Sequence, residues 1–184
     1  VRAEAPFATH VTEEAGMVRS VPAMSGQSPG NAISSGLWNS QVTALGIWAV
    51  RPVIFSYWQN ATAQPLPNNT ATAIAWDSFG ADSDAGYAAA APTRFTASIA
   101  GWYAISGTAV FAANPTGART AQLAVNGAAV PFGFNQGAAV AGVRTALSAE
   151  IIYHLGVGDY VELWATQSSG AALTTAQGSV LNLN

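Results

Sequence analysis

The stretch from Phe95 to Asn114, FTASIAGWYAISGTAVFAAN, constrains the fold more than any other part of the chain. Aromatic and branched residues alternate there with Ala, Ser, Thr and Gly, so Tyr103, Ile105, Ala109 and Phe111 fall on one face of an extended backbone. A period of two marks a strand with one face in a core. Ala100-Gly101 lets the backbone turn into this strand at Trp102, and Asn114-Pro115-Thr116-Gly117 ends it.

The same texture fills the chain from Val53 onward. Val53, Phe55, Tyr57 and Gln59 alternate with Ile54, Ser56 and Trp58, and the loop Gln64 to Asn69 follows. Thr70 to Asp77 reads as a strand with Thr72, Ile74 and Trp76 on one face, and Phe79 to Pro92 as a loop. Ala118 to Val125 is a further strand, closed by the hairpin dipeptide Asn126-Gly127 and answered by Val130 to Phe134. Gly142 to Leu155, Asp159 to Gln167 and Ser179 to Leu183 complete the set. No helical period interrupts these strands, which excludes a parallel-sheet α/β fold. The pattern predicts an all-β, antiparallel jelly-roll sandwich of about 8–10 strands over residues 52–184.

Residues 1–51 form an arm of different character. Val1 to Gly30 carries Pro6, Pro22 and Pro29 and has no sustained apolar period, so alone it cannot bury enough surface to offset ordering its backbone. It is expected to be held against neighbouring subunits, or else to pack back on its own domain. Ser34-Ser35 caps one short helix running to about Leu45, with Leu37, Trp38, Val42 and Leu45 on one side and Gly46 where a helix would stop. The first residues, with Glu4, Glu13 and Glu14, lack the basic start and apolar core of a secretory signal.

Charge narrows the possible partners. Only 8% of the 184 residues are charged although half are hydrophobic, against about 25% charged in ordinary domains. A surface so bare is expected to be covered by other subunits. The net charge of -3 and six scattered arginines offer no field for nucleic acid or anionic lipid. No apolar run approaches the roughly 20 residues that span a bilayer. Cysteine is absent, so neither disulfides nor thiolate metal sites are available.

Candidate chemistry is sparse, and no cofactor is implied. The two histidines, His10 and His154, are far apart, and no G-x-S-x-G context accompanies them, so the chain does not read as an enzyme. His154, ending the Ile151-Ile152-Tyr153 run, is expected to be a hydrogen-bonded structural residue. Asp77, Asp82 and Asp84 have the spacing of oxygen ligands for calcium, but Ala88 stands where an EF-hand glutamate would close the site. A solvated turn explains them as well. Asp159, after Gly156 and Gly158, is placed to accept hydrogen bonds from turn amides and to fix the register of the following strand. The six tryptophans suit either a sugar platform or subunit contacts.

Two elements carry a family resemblance. Phe95, Gly101 and Tyr103 form an F-x-x-x-x-x-G-x-Y element, and Leu155, Gly158, Asp159, Val161 and Leu163 form L-x-x-G-D-x-V-x-L. Both, in this order, resemble the globular head of the complement and tumour necrosis factor superfamily. Ala113-Asn114-Pro115-Thr116-Gly117-Ala118-Arg119, the Asn-Gly hairpin, and Gly158 to Leu163 followed by Gln167, Ser169 and Gly170 resemble such domains in virion proteins of actinobacterial phages. Leading segments with a W-N helix, like Trp38-Asn39, recur in those proteins. The resemblance covers Val53 to Asn184 well and the first fifty residues weakly.

It implies a ten-stranded jelly roll that trimerises around an apolar axis and stands on the outside of a virion. The arm, Val1 to Gly30 with Trp38, is the expected assembly anchor, with other virion proteins such as the major capsid or tail protein as partners. The alternative is a carbohydrate- or receptor-binding module that grips host cell-wall glycans.

Overall fold

The computed structural model describes residues 34–50, 53–59 and 63–184. The Val1 to Gly30 anchor and His10 therefore lie outside the described residues. Helix α1 spans Ser35–Val50. Ser34 caps it, its Oγ accepting from the Leu37 N–H at 3.1 Å. The helix does not stop at Gly46. One interior glycine costs only about 1 kcal/mol relative to alanine, and Ile47 to Val50 continue the turn.

Twelve strands follow: β1 Phe55–Trp58, β2 Pro65–Leu66, β3 Thr72–Ala73, β4 Ser78–Asp82, β5 Arg94–Thr96, β6 Gly101–Phe111, β7 Ala118–Val125, β8 Ala128–Ala138, β9 Thr145–Leu155, β10 Tyr160–Gln167, β11 Leu173–Thr174 and β12 Val180–Leu183. One five-stranded sheet has the order β4-β1-β12-β6-β9. The other runs β3-β10-β7-β8, with β5 also on β10, and β11-β2 form a small ribbon. Every ladder between these strands is antiparallel. This is the antiparallel jelly-roll sandwich that the alternation predicted.

Residues of one phase fill the space between the sheets. Tyr103, Ile105, Ala109 and Phe111 of β6 meet Leu123 of β7 and Val161, Leu163 and Ala165 of β10, all at most 4% exposed. An aromatic cluster closes one end, with Phe55 stacked on Tyr57 at 4.1 Å and edge-on to Phe95 at 4.6 Å. Each such buried side chain contributes about 1.5–3 kcal/mol relative to exposure. Tyr57 donates its hydroxyl to Asp82 Oδ2 at 2.8 Å, and burial, reinforced by that carboxylate, pushes its ionisation far above the usual range.

Two local expectations need correction. Thr70 to Asp77 is not one strand: only Thr72–Ala73 lie in a ladder, against β10, after which Ile74 N–H still reaches Leu163 O and Asp77 N–H reaches Trp58 O. The chain is crossing from one sheet to the other there, so Ile74 and Trp76 are buried in alternation without a continuous strand. Nor is Phe79 to Pro92 all loop, because Ser78–Asp82 pair with β1 across a bulge.

Candidate functional site

The feature that stands out chemically is a surface, the outward face of the β4-β1-β12-β6-β9 sheet. Strict alternation on the β6–β9 pair points Tyr103, Ile105 and Phe111 inward and sends Trp102, Ala104 and Ser106 outward. Their register partners on β9 are His154, Ile152 and Glu150. Trp102 is 73% exposed and Ile152 is 70% exposed. Elsewhere on these two strands the outward residues are small or uncharged, as in the Thr108–Ser148 pair, whose hydroxyls lie 2.8 Å apart. On the next strand Asn182 accepts from Ser56 Oγ at 2.7 Å.

Glu150 is the single carboxylate that β6, β9, β12 and β1 present on this side, and no arginine joins it. A sheet face that meets water normally reads as polar and charged. This one carries the exposed Trp102 and Ile152, beside a shallow hollow of about 410 Å³ lined by Ala104, Ile105, Ser106, Glu150, Ile151, Ile152 and Asn184. Such patches mark association surfaces.

His154 belongs to this face. It is exposed, with its ring 5.4 Å from that of Trp102 in an edge-on contact. It does not occupy a buried, hydrogen-bonded position.

The signature residues instead form two internal corners. At the first, Asn114 Oδ1 accepts from the Thr116 N–H at 2.8 Å. The buried Arg119 guanidinium donates to the Asn114, Thr116 and Ala118 carbonyls at 2.9–3.2 Å. Its head lies 6.0 Å over the Phe111 ring, its Nε has no hydrogen-bond partner among the described residues, and burial lowers its pKa. Arg119 thus pins the β6–β7 loop. Its phase with Ala121 and Leu123 was a readable sign that it points inward. Gly117, with φ +79°, makes the turn beneath Ser168.

At the second corner, Asp159 accepts from the Gly156 N–H at 2.7 Å and from Asn126 Nδ2 at 2.8 Å, while the Tyr160 N–H donates to Asn126 Oδ1. Gly158 at φ +89° brackets Ala97 from both sides: Gly158 N–H donates to Ala97 O, and Ala97 N–H to Asp159 O. Val161 and Leu163 then enter the core. Phe95 fills the core between Phe55 and Tyr103, and Tyr103 donates its hydroxyl to Ile99 O at 2.6 Å. Gly101 differs from its expected role. A Cβ there would meet nothing within 4 Å and its φ is not positive, so the start of β6 does not demand glycine.

The Asn126 amide, the Gly156 N–H and the charge of His154 together hold the Asp159 carboxyl below the usual carboxylate range. A depressed folded pKa stabilises the fold above the unfolded value, about 3.9, and that contribution is lost as pH falls through the folded value. Melting curves from pH 6 to 2 are therefore expected to converge between the native chain and Asp159→Asn as acid is added. Parallel curves would show that the carboxylate contributes nothing there.

The acidic loop is a turn built around one side chain. Asp82 accepts from Tyr57 Oη and from the Gly86 and Tyr87 N–H groups at 2.8–3.0 Å, and the buried Asp84 accepts from Ser83 Oγ. Among the described residues no three His, Cys, Asp or Glu come together as metal ligands, Asp77, Asp82 and Asp84 included. Trp38 is 59% exposed on α1.

Comparison with solved structures places this geometry. The chain is similar to the globular domain of zebrafish complement 1qA, with 14% identity over 72% of this chain and 96% of that one, at a TM-score of 0.51. Murine APRIL is similar over 71% of this chain and 95% of that one, at 11% identity and a TM-score of 0.54. Eiger TNF from S. frugiperda is similar over 72% and 92%, at 10% identity and a TM-score of 0.50. The fold is the complement and tumour necrosis factor jelly roll. No family model matches the chain, and no curated protein does. Within this jelly roll, the face with Glu150 as its single charge belongs to the sheet that holds β12.

Proposed function

We propose that this protein is a non-enzymatic structural subunit of a phage virion. In this reading a homotrimeric jelly-roll head stands on the exterior of the capsid or tail, held by its N-terminal arm. The observation that carries the assembly part is the outward face of β6 and β9, where Trp102 and Ile152 stand exposed on a sheet almost without charge. Burying about 800 Å² per partner suffices for a stable interface, and a five-stranded face of this composition suits that role. The virion setting is supported by the Asn114-to-Arg119 corner, the Asn126-Gly127 hairpin and the Gly158-to-Leu163 element, which together resemble phage versions of the fold.

The arm's composition supports anchoring, since a segment with three prolines and no sustained apolar period suits lying along a partner. A chain lacking residues 1–30 is expected to remain a soluble oligomer and to vanish from purified particles. Its continued incorporation would sink the anchoring role.

A second reading, a sugar-gripping head, is supported by the opposite sheet. There Arg94 lies 4.5 Å over the Tyr160 ring, and Trp164 Nε1 donates to Glu162 at 3.0 Å. That reading predicts that Trp164→Ala abolishes adsorption to host cells while leaving particle incorporation intact.

A further inference from the structure

Asn126-Gly127 is the one Asn-Gly pair in the sequence, and chemically it is a perishable step. No side chain beside a glycine nitrogen shields it, so in an open chain it can attack the amide carbon of the preceding asparagine. The Gly127 nitrogen gives up its proton and bonds to Asn126 Cγ, the Cγ–Nδ2 bond breaks, and Nδ2 leaves as ammonia. Water then opens the resulting succinimide to aspartate, or to isoaspartate with the main chain rerouted through the side-chain carbon. Asn126 is exposed, so burial does not keep water or base from it.

The fold restrains this residue in another way. Asn126 Nδ2 donates to Asp159 Oδ1 at 2.8 Å, and Asn126 Oδ1 accepts from the Tyr160 N–H at 3.0 Å. Both ends of the amide are therefore bonded to the start of β10, and the Asn126 N–H donates to Tyr160 O at 2.9 Å as well. Tyr160 also closes over the turn, since a Cβ added to Gly127 would lie 3.1 Å from its hydroxyl. Asp159 is itself fixed, its other oxygen accepting from the Gly156 N–H at 2.7 Å. For Cγ to swing onto the Gly127 nitrogen, both side-chain bonds have to break. The hairpin uses Asn-Gly for its positive φ values of 52° and 74°, but a hairpin by itself needs no aspartate across from it.

We infer that Asn126-Gly127 is a latent self-modification site, which the clamp of Asp159 and Tyr160 keeps unreacted while the corner is closed. Once the corner has opened and the reaction has run, it cannot close as before. The Nδ2 donor is gone, and a second carboxylate faces Asp159, where like charges repel. Isoaspartate also lengthens the main chain by a methylene inside a two-residue turn. Opening thus becomes irreversible, and a chain that has lost this corner stays marked. This inference is independent of the assembly proposed above.

Peptide mapping by mass spectrometry of the full-length chain, aged at neutral pH, reads conversion at Asn126 directly. The folded native chain is expected to keep its amide while the same chain in urea converts. Folded Asp159→Asn, which replaces the charged acceptor with a neutral one, is expected to convert about tenfold faster than the native chain, the effect of one charge-assisted hydrogen bond. Asp159→Glu, which keeps the charge but displaces the carboxylate, should do the same and serves if the first variant does not fold. Native conversion as fast as in urea, or folded variants at position 159 that age no faster than the native chain, would overturn the protection. Asn126→Asp is expected to be less stable than the native chain in denaturant titrations at neutral pH, and equal stability would overturn the irreversibility.

Discussion

Replacing Gly117 with alanine is expected to destabilise the fold by about 3–5 kcal/mol, a large share of the roughly 5–15 kcal/mol that separates folded from unfolded domains. The backbone there has φ +79°, where an L side chain costs about 1–2 kcal/mol. That is the smaller part. The new methyl would overlap the Ser168 carbonyl, which cannot retreat because Ser168 N–H is bonded to Ala118 O and its Oγ to Ala118 N–H. The loop would have to move, taking with it the Asn114 and Thr116 carbonyls that solvate the buried Arg119 head. Each lost bond to a buried charged donor costs about 1–3 kcal/mol.

Gly142→Ala is the control, with φ +75° and nothing within 4 Å of the added carbon. Denaturant titrations at one protein concentration should show Gly142→Ala losing about 1 kcal/mol and Gly117→Ala several times more. Equal losses would mean that the Arg119 corner does not depend on this turn.

The second large effect concerns assembly. Ile152→Glu is expected to leave the β spectrum and the fold of the subunit intact, because the residue is 70% exposed in the single chain. In the oligomer it would place an unpaired carboxylate, two residues from Glu150, inside a desolvated contact. Such a charge costs several kcal/mol, and about 3 kcal/mol is already more than a hundred-fold in dissociation. The variant should sediment as a monomer at concentrations where the native chain remains assembled. An Ile152→Glu chain as tightly associated as the native one would remove the β6–β9 face from the interface.

The second effect depends on side-chain phase, the part of this fold most legible in the sequence. Ala118 to Val125 was readable to the residue because its alternation ends at Asn126-Gly127. That turn takes φ values of 52° and 74°, as a two-residue hairpin requires. The phase of β9 also separates Ile152 and His154 from Ile151, Tyr153 and Leu155, so the outward face could have been inferred once the inward one was assigned.

Other elements are set by partners distant in sequence. Ser78–Asp82 and Leu173–Thr174 have no local period, and become strands only because β1 and β2 supply their hydrogen bonds. Ile74 and Trp76 alternate like a strand because a segment crossing between sheets also buries every second side chain. Phe132 stands 90% exposed where β8 slips register against β7, and the Gln122 amide reaches across that bulge to Val130 O, a contact that no periodicity announces.

In the proposed function this chain is a subunit surrounded by copies of itself. Sedimentation equilibrium of the full-length chain at physiological salt tests it most directly. A single species of three times 18.7 kDa that persists to sub-micromolar concentration is expected. A stable species of 18.7 kDa throughout that range would contradict it.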